Sequence, residues 1–304
     1  MRATSCVRDA EEERNCMNIK KIGRMGNGAQ DGAIWGGFVF RFDHAGHCWV
    51  YDAAALDGDC VNLILPQIAS FSLNADDALI PHCNAVTFGG TYYEADDEFP
   101  LLYANVYNNY AKEQDRRVGM CCVYRLQREG LSFRAELVQL LKIGFAQERG
   151  LWLSDGDVND VRPYGNFVVD RERGLLHAFV MRDGDKTTRY FTFRLPDVKD
   201  GAMSEEYGVP VAVLEASDIL SYFDTPYHLY IQGACCHNGL IYSSEGFNAD
   251  IQPSLRIIDP QAKQQIDHAN LAALGYPTEA EWIDFRGERC YYSDGFGNLF
   301  EVLF

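Results

Sequence analysis

Residues 36–52 read GGFVFRFDHAGHCWVYD, two alternating apolar runs on either side of a short polar turn. This pattern predicts two antiparallel strands joined by a hairpin. The same strand–turn–strand pattern returns in four further stretches, at residues 99–126, 174–196, 239–260 and 289–304. Because a unit of this size cannot bury its own apolar faces, each copy is expected to stack on its neighbours. The sequence therefore predicts five small sheets in series.

Each unit extends to four predicted strands, A to D, and strand A begins near residues 30, 82, 160, 232 and 281. Strand D is predicted at 60–68, 133–142, 209–215 and near 263–268. Two short helices are also predicted, at 217–223 with Ser217 as N-cap and at 267–275 ending at Gly275.

The fifth unit ends after its third strand, at 298–303, and so lacks an outer strand. Residues 17–23, MNIKKIG, have the character of such a strand. If they pair beside the fifth unit, the ring closes and leaves no open sheet edge. We therefore predict an all-β, five-bladed β-propeller of four-stranded antiparallel blades, closed by its N-terminal strand. Residues 1–15 form a flexible segment in this prediction and residues 16–304 a single propeller domain, with a six-bladed ring or a pair of sandwiches as alternatives.

Four phrases of the chain resemble an uncharacterised group of bacterial propeller proteins: QDGAIWGGFVF (30–40), PHCNAVTFG (81–89), EFPLLYANV (98–106) and QGACCHNGLIY (232–242). The resemblance covers nearly the whole chain and is architectural. It implies the propeller fold and carries no chemistry with it.

The charge balance restricts the partners. The 304 residues contain 27 Lys and Arg against 44 Asp and Glu, for a formal net charge of −17. Nucleic acids and anionic membranes bind basic surfaces, so neither is an expected partner. The sequence also contains no apolar run of roughly 18 residues, so no transmembrane segment is predicted. The oligomeric state stays open.

Ten cysteines are present, and several lie inside apolar strand-like runs. The adjacent pairs Cys121–Cys122 and Cys235–Cys236 should point to opposite faces of their strands. We predict that most are buried thiols, which fits a reducing cytoplasm or an anaerobe. If the natural start lies upstream, Ala3–Cys6 would instead suit the end of a lipoprotein signal, and the protein would be exported.

In a propeller the innermost strands line the axis, so residues that enter these strands should meet at one mouth of the ring. The polar residues at these entries are Gln30, Asp31, His82, Asn84, Asp160, Arg162, Gln232, Glu281 and Asp284. The B–C loops of the same face would add His44, His47, Tyr107, Asn108, Asn109, Tyr110, Phe247, Asn248 and Phe296. Polar groups beside aromatic rings in a concave funnel suit a small polar ligand, of which a carbohydrate is one. The opposing interpretation is a polar, water-filled channel without a ligand.

The acidic residues of this set raise a catalytic alternative, since glycoside cleavage needs one protonated acid and one carboxylate at a defined separation. Five-bladed propellers include arabinanase-like glycosidases, which place acidic residues at blade starts. Gln30-Asp31-Gly32 is the nearest equivalent here. We expect Arg162 to keep Asp160 ionised, which leaves Asp31 and Glu281 as the candidate acids of a hydrolase or lyase, in solvated positions. A third alternative is a protein-interaction scaffold that uses the long loops of units two and three.

No metal or cofactor site is predicted. His44-Ala-Gly-His47 and residues 293–297 are interpreted as hairpin turns, and Asp155-Gly-Asp-Val-Asn159 as a tight turn that fails the calcium-loop pattern. The chain also has no CxxC pair, no Gly-x-Ser-x-Gly and no phosphate-binding glycine motif.

Overall fold

The structure is a computed structural model that describes residues 17–26, 28–58, 61–73, 79–106, 117–155, 165–247 and 250–304. The predicted flexible segment at 1–15 lies outside these residues. The described part of the chain is all-β, with 23 strands and two single 3₁₀ turns at Ala53–Leu56 and Ala216–Asp218. No helix among these residues has the length and apolar character needed to cross a membrane.

The strands form five sheets, one for each predicted unit. Blade 1 contains β2 (Gly32–Trp35), β3 (Phe38–Phe42), β4 (His47–Asp52) and β6 (Gln67–Ser72). Blade 3 contains β11 (Asn166–Asp170), β12 (Leu175–Arg182), β13 (Thr187–Arg194) and β16 (Ser221–Pro226). Blade 4 contains β17 (Ile231–His237), β18 (Leu240–Glu245), β19 (Ser254–Asp259) and β20 (Gln264–Asn270).

Two blades are larger than predicted. Blade 2 runs β7 (Pro81–Phe88), β8 (Leu102–Val106), β9 (Met120–Glu129), β10 (Ser132–Ile143), then β15 (Pro210–Leu214) and β14 (Ala202–Met203). Blade 5 runs β21 (Ala280–Arg286), β22 (Arg289–Asp294), β23 (Asn298–Leu303), β1 (Asn18–Arg24) and β5 (Leu63–Ile64).

The predicted closure by the N-terminal strand is confirmed. β1 pairs antiparallel with β23, from Asn18 opposite Leu303 to Arg24 opposite Asn298. The two-residue β5 then pairs parallel with the end of β1, so the N-terminal strand is covered there by the chain of blade 1. The innermost strands complete the ring: β2 contacts β7, β7 contacts β11, β11 contacts β17, β17 contacts β21, and β21 returns to β2. This closed order shows five blades and removes the six-bladed and sandwich alternatives.

Four strand and helix predictions differ from the structure. Residues 209–215 do form a strand, but it pairs parallel with β10 of blade 2 and is not the outer strand of blade 3. Blade 3 is completed by β16, whose first three residues are the last three of the helix predicted at 217–223; the start of that segment lies in the 3₁₀ turn at Ala216–Asp218. The second predicted helix, at 267–275, is the end of β20 followed by a turn. The predicted strand at 60–68 is divided between β5 and the start of β6.

The core consists of five apolar layers, one between each pair of adjacent blades. Adjacent residues of a strand face different layers. Cys121 packs between blades 2 and 3 and Cys122 between blades 1 and 2, while Cys235 faces blade 5 and Cys236 faces blade 3. The opposite orientation predicted for these pairs is therefore confirmed. All seven cysteines among the described residues are thiols, and six of them are buried.

Candidate functional site

Asp31, just before β2, is fully buried (0% exposed). Its Oδ2 accepts hydrogen bonds from Val86 N at 2.9 Å and Ala234 N at 3.1 Å, which joins blade 1 to blades 2 and 4. Burial raises the pKa of this carboxyl well above its usual value, against the lowering effect of the backbone hydrogen bonds. The prediction of a solvated Asp31 is wrong, and its geometry is that of a structural connection at the axis.

Asn84 is a second connection across the axis. Its Nδ2 donates to Ile231 O at 2.9 Å, from blade 2 to blade 4, and its Oδ1 accepts from Asn105 Nδ2. Asn105, buried in the middle of β8, also accepts from Ala85 N at 3.1 Å. Buried polar groups of this kind are satisfied by the protein itself. Sequence reasoning missed Asn105 because it lies inside an apolar strand.

The histidine residues of the predicted set lie around the first hairpin. His82 is partly buried, with its ring 6.3 Å from that of exposed His44. Burial, and to a lesser degree His44, lowers the pKa of His82 to about 4. Asp43 Oδ1 accepts from the N–H groups of Ala45 and His47, both at 2.9 Å. The interpretation of this segment as a hairpin turn is therefore confirmed.

A carboxyl pair lies where blade 5 meets blades 1 and 4. Glu281 is buried (4% exposed), so the prediction of a solvated side chain is wrong here too. Its Oε1 accepts from Gln30 Nε2 at 3.3 Å, and its carboxyl lies close enough to that of Glu279 for the two charges to interact. Glu279 Oε1 in turn accepts from Gln232 Nε2.

The electrostatics of this pair favour one shared proton. Burial, followed by the charge of Glu279, raises the pKa of Glu281 well above its usual value, and burial raises that of Glu279. Glu281 Oε2 is buried and has no hydrogen-bond donor among the described residues. A proton on this oxygen would give it a partner, because a protonated Glu281 can donate to Glu279. The pair then carries one negative charge in place of two.

Arg41 supplies the positive charge beneath this region. The guanidinium is buried, donates to Gln30 O at 2.8 Å and to Ala29 O at 3.2 Å, and lies 5.1 Å from the ring centroid of Trp282. Burial lowers the pKa of Arg41 to about 10, while the charges of Asp31 and Glu281 counteract this. Sequence reasoning missed Arg41 because an arginine in a strand ordinarily faces water.

An open cleft lies beside Glu279. It has a volume of about 320 Å³ between blades 4 and 5, and its walls are Phe247, Pro277, Thr278, Glu279, Gly295 and Phe296. Phe247 (51% exposed) and Phe296 (77% exposed) come from the B–C loops of the two blades. The Phe296 loop is held by Asp294, whose Oδ1 accepts from Phe296 N at 3.0 Å and Asn298 N at 2.8 Å. This confirms the hairpin turn predicted at 293–297.

Asp284 does not belong to this mouth. It is the fifth residue of β21 and lies towards the opposite end, where Ile34 N donates to its Oδ2 at 2.6 Å. Asp284 and residues at the ends of other inner strands line a cavity there of about 10 Å³, which has room for one water molecule. Burial raises the pKa of Asp284 to about 6. The prediction of a shared mouth was wrong for Asp284 because it placed every polar residue of strand A at the strand entry.

A further cluster lies near this opposite mouth: Asp170, His177 and Cys236 have potential ligand atoms that all lie within 4.8 Å of one another. The sequence analysis had not singled out these three as a set.

The remaining predicted residues fall outside the described part of the chain: Asp160, Arg162, Tyr107, Asn108, Asn109, Tyr110 and Asn248. The predicted pairing of Asp160 with Arg162 stays a prediction, as does the convergence of these residues with Gln232 and Glu281.

Comparison with known proteins supports the fold. Glutaminyl cyclase from Myxococcus xanthus has a solved structure that matches with a TM-score of 0.51 at 13% identity, over 94% of this chain and 95% of that chain. BamB from Moraxella catarrhalis (TM-score 0.33, 12% identity, 90% and 69% covered) and the computationally designed Ika8 protein (0.34, 8%, 93% and 99%) are more distant. At such identities the cyclase match shows the propeller fold alone. No protein-family model and no curated protein sequence matches the chain.

Proposed function

We propose that this propeller binds a small neutral ligand rich in hydroxyl groups, a carbohydrate being the leading class, in the cleft between blades 4 and 5. The observation that carries the proposal is the combination of two exposed phenylalanine rings and the carboxyl of Glu279 in one concavity. The proposed place differs from the axial funnel expected from the sequence, because Asp31 and Asn84 are buried in hydrogen bonds between blades.

The aromatic walls support a ligand with an apolar face. A side chain as large as phenylalanine is usually buried, and two exposed rings that flank a concave surface mark a binding site more often than an inert surface. Pocket walls of this kind combine apolar area with a few polar groups that fix orientation. A sugar ring offers both, since its C–H face can pack on Phe247 or Phe296 while its hydroxyls reach Glu279.

The carboxyl pair supports a neutral ligand over an anionic one. Gln232 and Glu281 occupy one side of the Glu279 carboxyl, so its remaining lone pairs can accept hydrogen bonds from hydroxyl groups. The single negative charge of the pair, within a chain of net charge −17, would repel uronic acids and phosphorylated sugars.

The same pair argues against glycoside hydrolysis. The carboxyl groups of a retaining or inverting glycosidase stand roughly 5–9.5 Å apart across the bond that is cleaved. Glu281 is buried, and its pKa is raised by burial and then by the charge of Glu279 close beside it, so the two carboxyl groups do not face each other across an open space that a glycosidic bond could enter. Glu279 is also the only carboxylate among the described residues that line the cleft.

The test is a binding screen against neutral, amino and acidic sugars, followed by calorimetry on the best neutral oligosaccharide. Phe296→Ala and Phe247→Ala should each weaken binding by about tenfold, the scale of one lost aromatic contact, with little change in melting temperature. Tyr92→Ala serves as the matched control, because Tyr92 is also exposed (42%) but lies in the β7–β8 loop. A screen without any sugar ligand, or affinity that survives both phenylalanine substitutions, would refute the proposal.

A further inference from the structure

The layer between blades 3 and 4 is apolar along most of its length and contains polar side chains at one end. Val168, Phe179 and Ala234 pack there from β11, β12 and β17. Two residues further along β11 and β17 the same faces carry Asp170 and Cys236, and two residues before Phe179 on β12 lies His177. Because side chains two apart in a strand share a face, the layer ends in a carboxylate, an imidazole and a thiol.

These three groups lie close together, and two of them are shielded from water. Their potential ligand atoms all fall within 4.8 Å of one another, Asp170 and His177 are buried, and Cys236 is partly exposed. Of the seven cysteines that the structure describes, Cys236 is the one that is not fully buried.

The surrounding residues hold the donors in place. His177 Nδ1 lies 3.1 Å from Thr192 Oγ1 on the neighbouring β13, an arrangement that orients the ring and leaves Nε2 as the candidate ligand atom. Asp170 Oδ1 accepts from Arg173 N at 3.1 Å and Oδ2 from Arg173 Nη1 at 3.0 Å. Since a carboxylate has about four acceptor positions, these two contacts leave room for a cation.

We propose that Asp170, His177 and Cys236 form a transition-metal site that bridges blades 3 and 4, with Zn²⁺ as the fitting ion and a fourth position for water or an exogenous ligand. Sulfur, nitrogen and oxygen donors in one set suit Zn²⁺, whereas Mg²⁺ and Ca²⁺ prefer oxygen ligands throughout. The site lies near Asp284, at the mouth opposite the cleft between blades 4 and 5, and is independent of the carbohydrate proposal.

Binding has a defined proton balance. A cysteine thiol is ordinarily protonated at neutral pH, and it binds Zn²⁺ as the thiolate. When Zn²⁺ binds, the sulfur–hydrogen bond breaks, a zinc–sulfur bond forms, and the proton passes to solvent. The affinity for Zn²⁺ should therefore increase by about tenfold for each unit of pH, as long as the free thiol remains protonated.

The test uses the full chain, stripped of metal with a chelator and titrated with Co²⁺ as a spectroscopic substitute for Zn²⁺. We expect one equivalent of Co²⁺ to produce a thiolate-to-cobalt charge-transfer band, and Zn²⁺ to displace it. Cys236→Ala should abolish the band, and His177→Gln should weaken binding by about a hundredfold. Cys235→Ala is the matched control, because Cys235 is the adjacent residue on the other face and should leave the band intact.

A second measurement needs no variant. Alkylation of Cys236 in the native wild-type protein, followed by mass spectrometry of its peptide, should be slower with Zn²⁺ present than with chelator. The proposal is overturned if no cobalt–thiolate band appears, if the band persists in folded Cys236→Ala, or if Zn²⁺ leaves the alkylation rate of Cys236 unchanged.

Discussion

Asp31 connects three blades. The N–H groups of Val86 and Ala234 both donate to its buried carboxyl, and Gly32 adds a third backbone contact. Burial raises the pKa of this carboxyl and so favours its neutral form. An asparagine amide has nearly the same shape as that neutral carboxyl.

Asp31→Ala should therefore lower the free energy of unfolding by about 3 kcal/mol or more, since each buried donor that loses its acceptor costs about 1–3 kcal/mol. Asp31→Asn should cost clearly less, because its amide oxygen can still accept. Urea unfolding of the two variants measures the difference. Equal losses would show that Asp31 does not act as an acceptor between blades.

Glu281 provides a pH test of the carboxyl pair. Its pKa is raised in the folded protein above an ordinary value of 4.5, so the folded state holds a proton that the unfolded state releases. The stability from this proton is complete below about pH 4.5 and is lost as the pH rises through the folded pKa. The buried histidines act in the opposite direction, but they contribute equally to wild type and variant.

Glu281→Gln should therefore gain stability relative to wild type as the pH rises from 5 to 8, because a glutamine amide donates to Glu279 without having to retain a proton. Unfolding by urea at several pH values gives this difference directly. If the difference stays constant across the range, the two carboxyl groups do not share a proton.

At the scale of single elements, β1 closes the ring. It covers β23 along six paired positions, and Ile19 and Ile22 are buried in the layers on the two sides of blade 5. Without it, β23 would expose an unpaired edge.

Deletion of residues 1–24 should thus lower the melting temperature by many degrees and promote aggregation, whereas deletion of residues 1–16 retains β1 and serves as the control. Thermal melts of both truncated proteins decide the matter. A melting curve of the longer deletion that coincides with that of the shorter one would contradict closure by β1.

The sequence predicted strands correctly where apolar and polar residues alternate around a nearby turn. It did not predict which strands pair when they lie far apart in the chain. The hairpins of all five units are visible as apolar runs around turns. Residues 209–215 alternate like a strand, but nothing local shows that they pair parallel with β10, a strand some 70 residues earlier in the chain. In β16, buried Phe223 and Thr225 alternate with exposed Tyr222 and Asp224, yet Ser217 and Asp218 before it favoured a helix start.

Of the residues at or near the proposed site, the sequence pattern singled out Gln232, Glu281, Phe247 and Phe296, but it did not show which of them are buried and which face the cleft. Polarity at a strand entry does not distinguish a side chain that faces water from one that hydrogen-bonds to a neighbouring blade, as Asp31 does. Glu279 was missed because it precedes the strand entry. The Asp170–His177–Cys236 set was missed because its members come from three strands of two blades.

At the scale of the whole molecule, the layered core predicts the state of the cysteines. Cys121, Cys122 and Cys235 each face a different apolar layer, so no two of these three can approach as a disulfide needs. Thiol titration of protein denatured without reductant should count about eight or more of the ten. Four or five disulfides would contradict this arrangement and indicate an oxidising compartment.

The most direct measurement of the proposed function is a crystal structure with the best neutral oligosaccharide bound. We predict electron density for a sugar ring between Phe247 and Phe296, with a hydroxyl within hydrogen-bond distance of Glu279, and unchanged hydrogen bonds from Asp31 to blades 2 and 4. Density on the axis beside Asp31, or a ligand seated elsewhere while the cleft between blades 4 and 5 holds only solvent, would contradict the account.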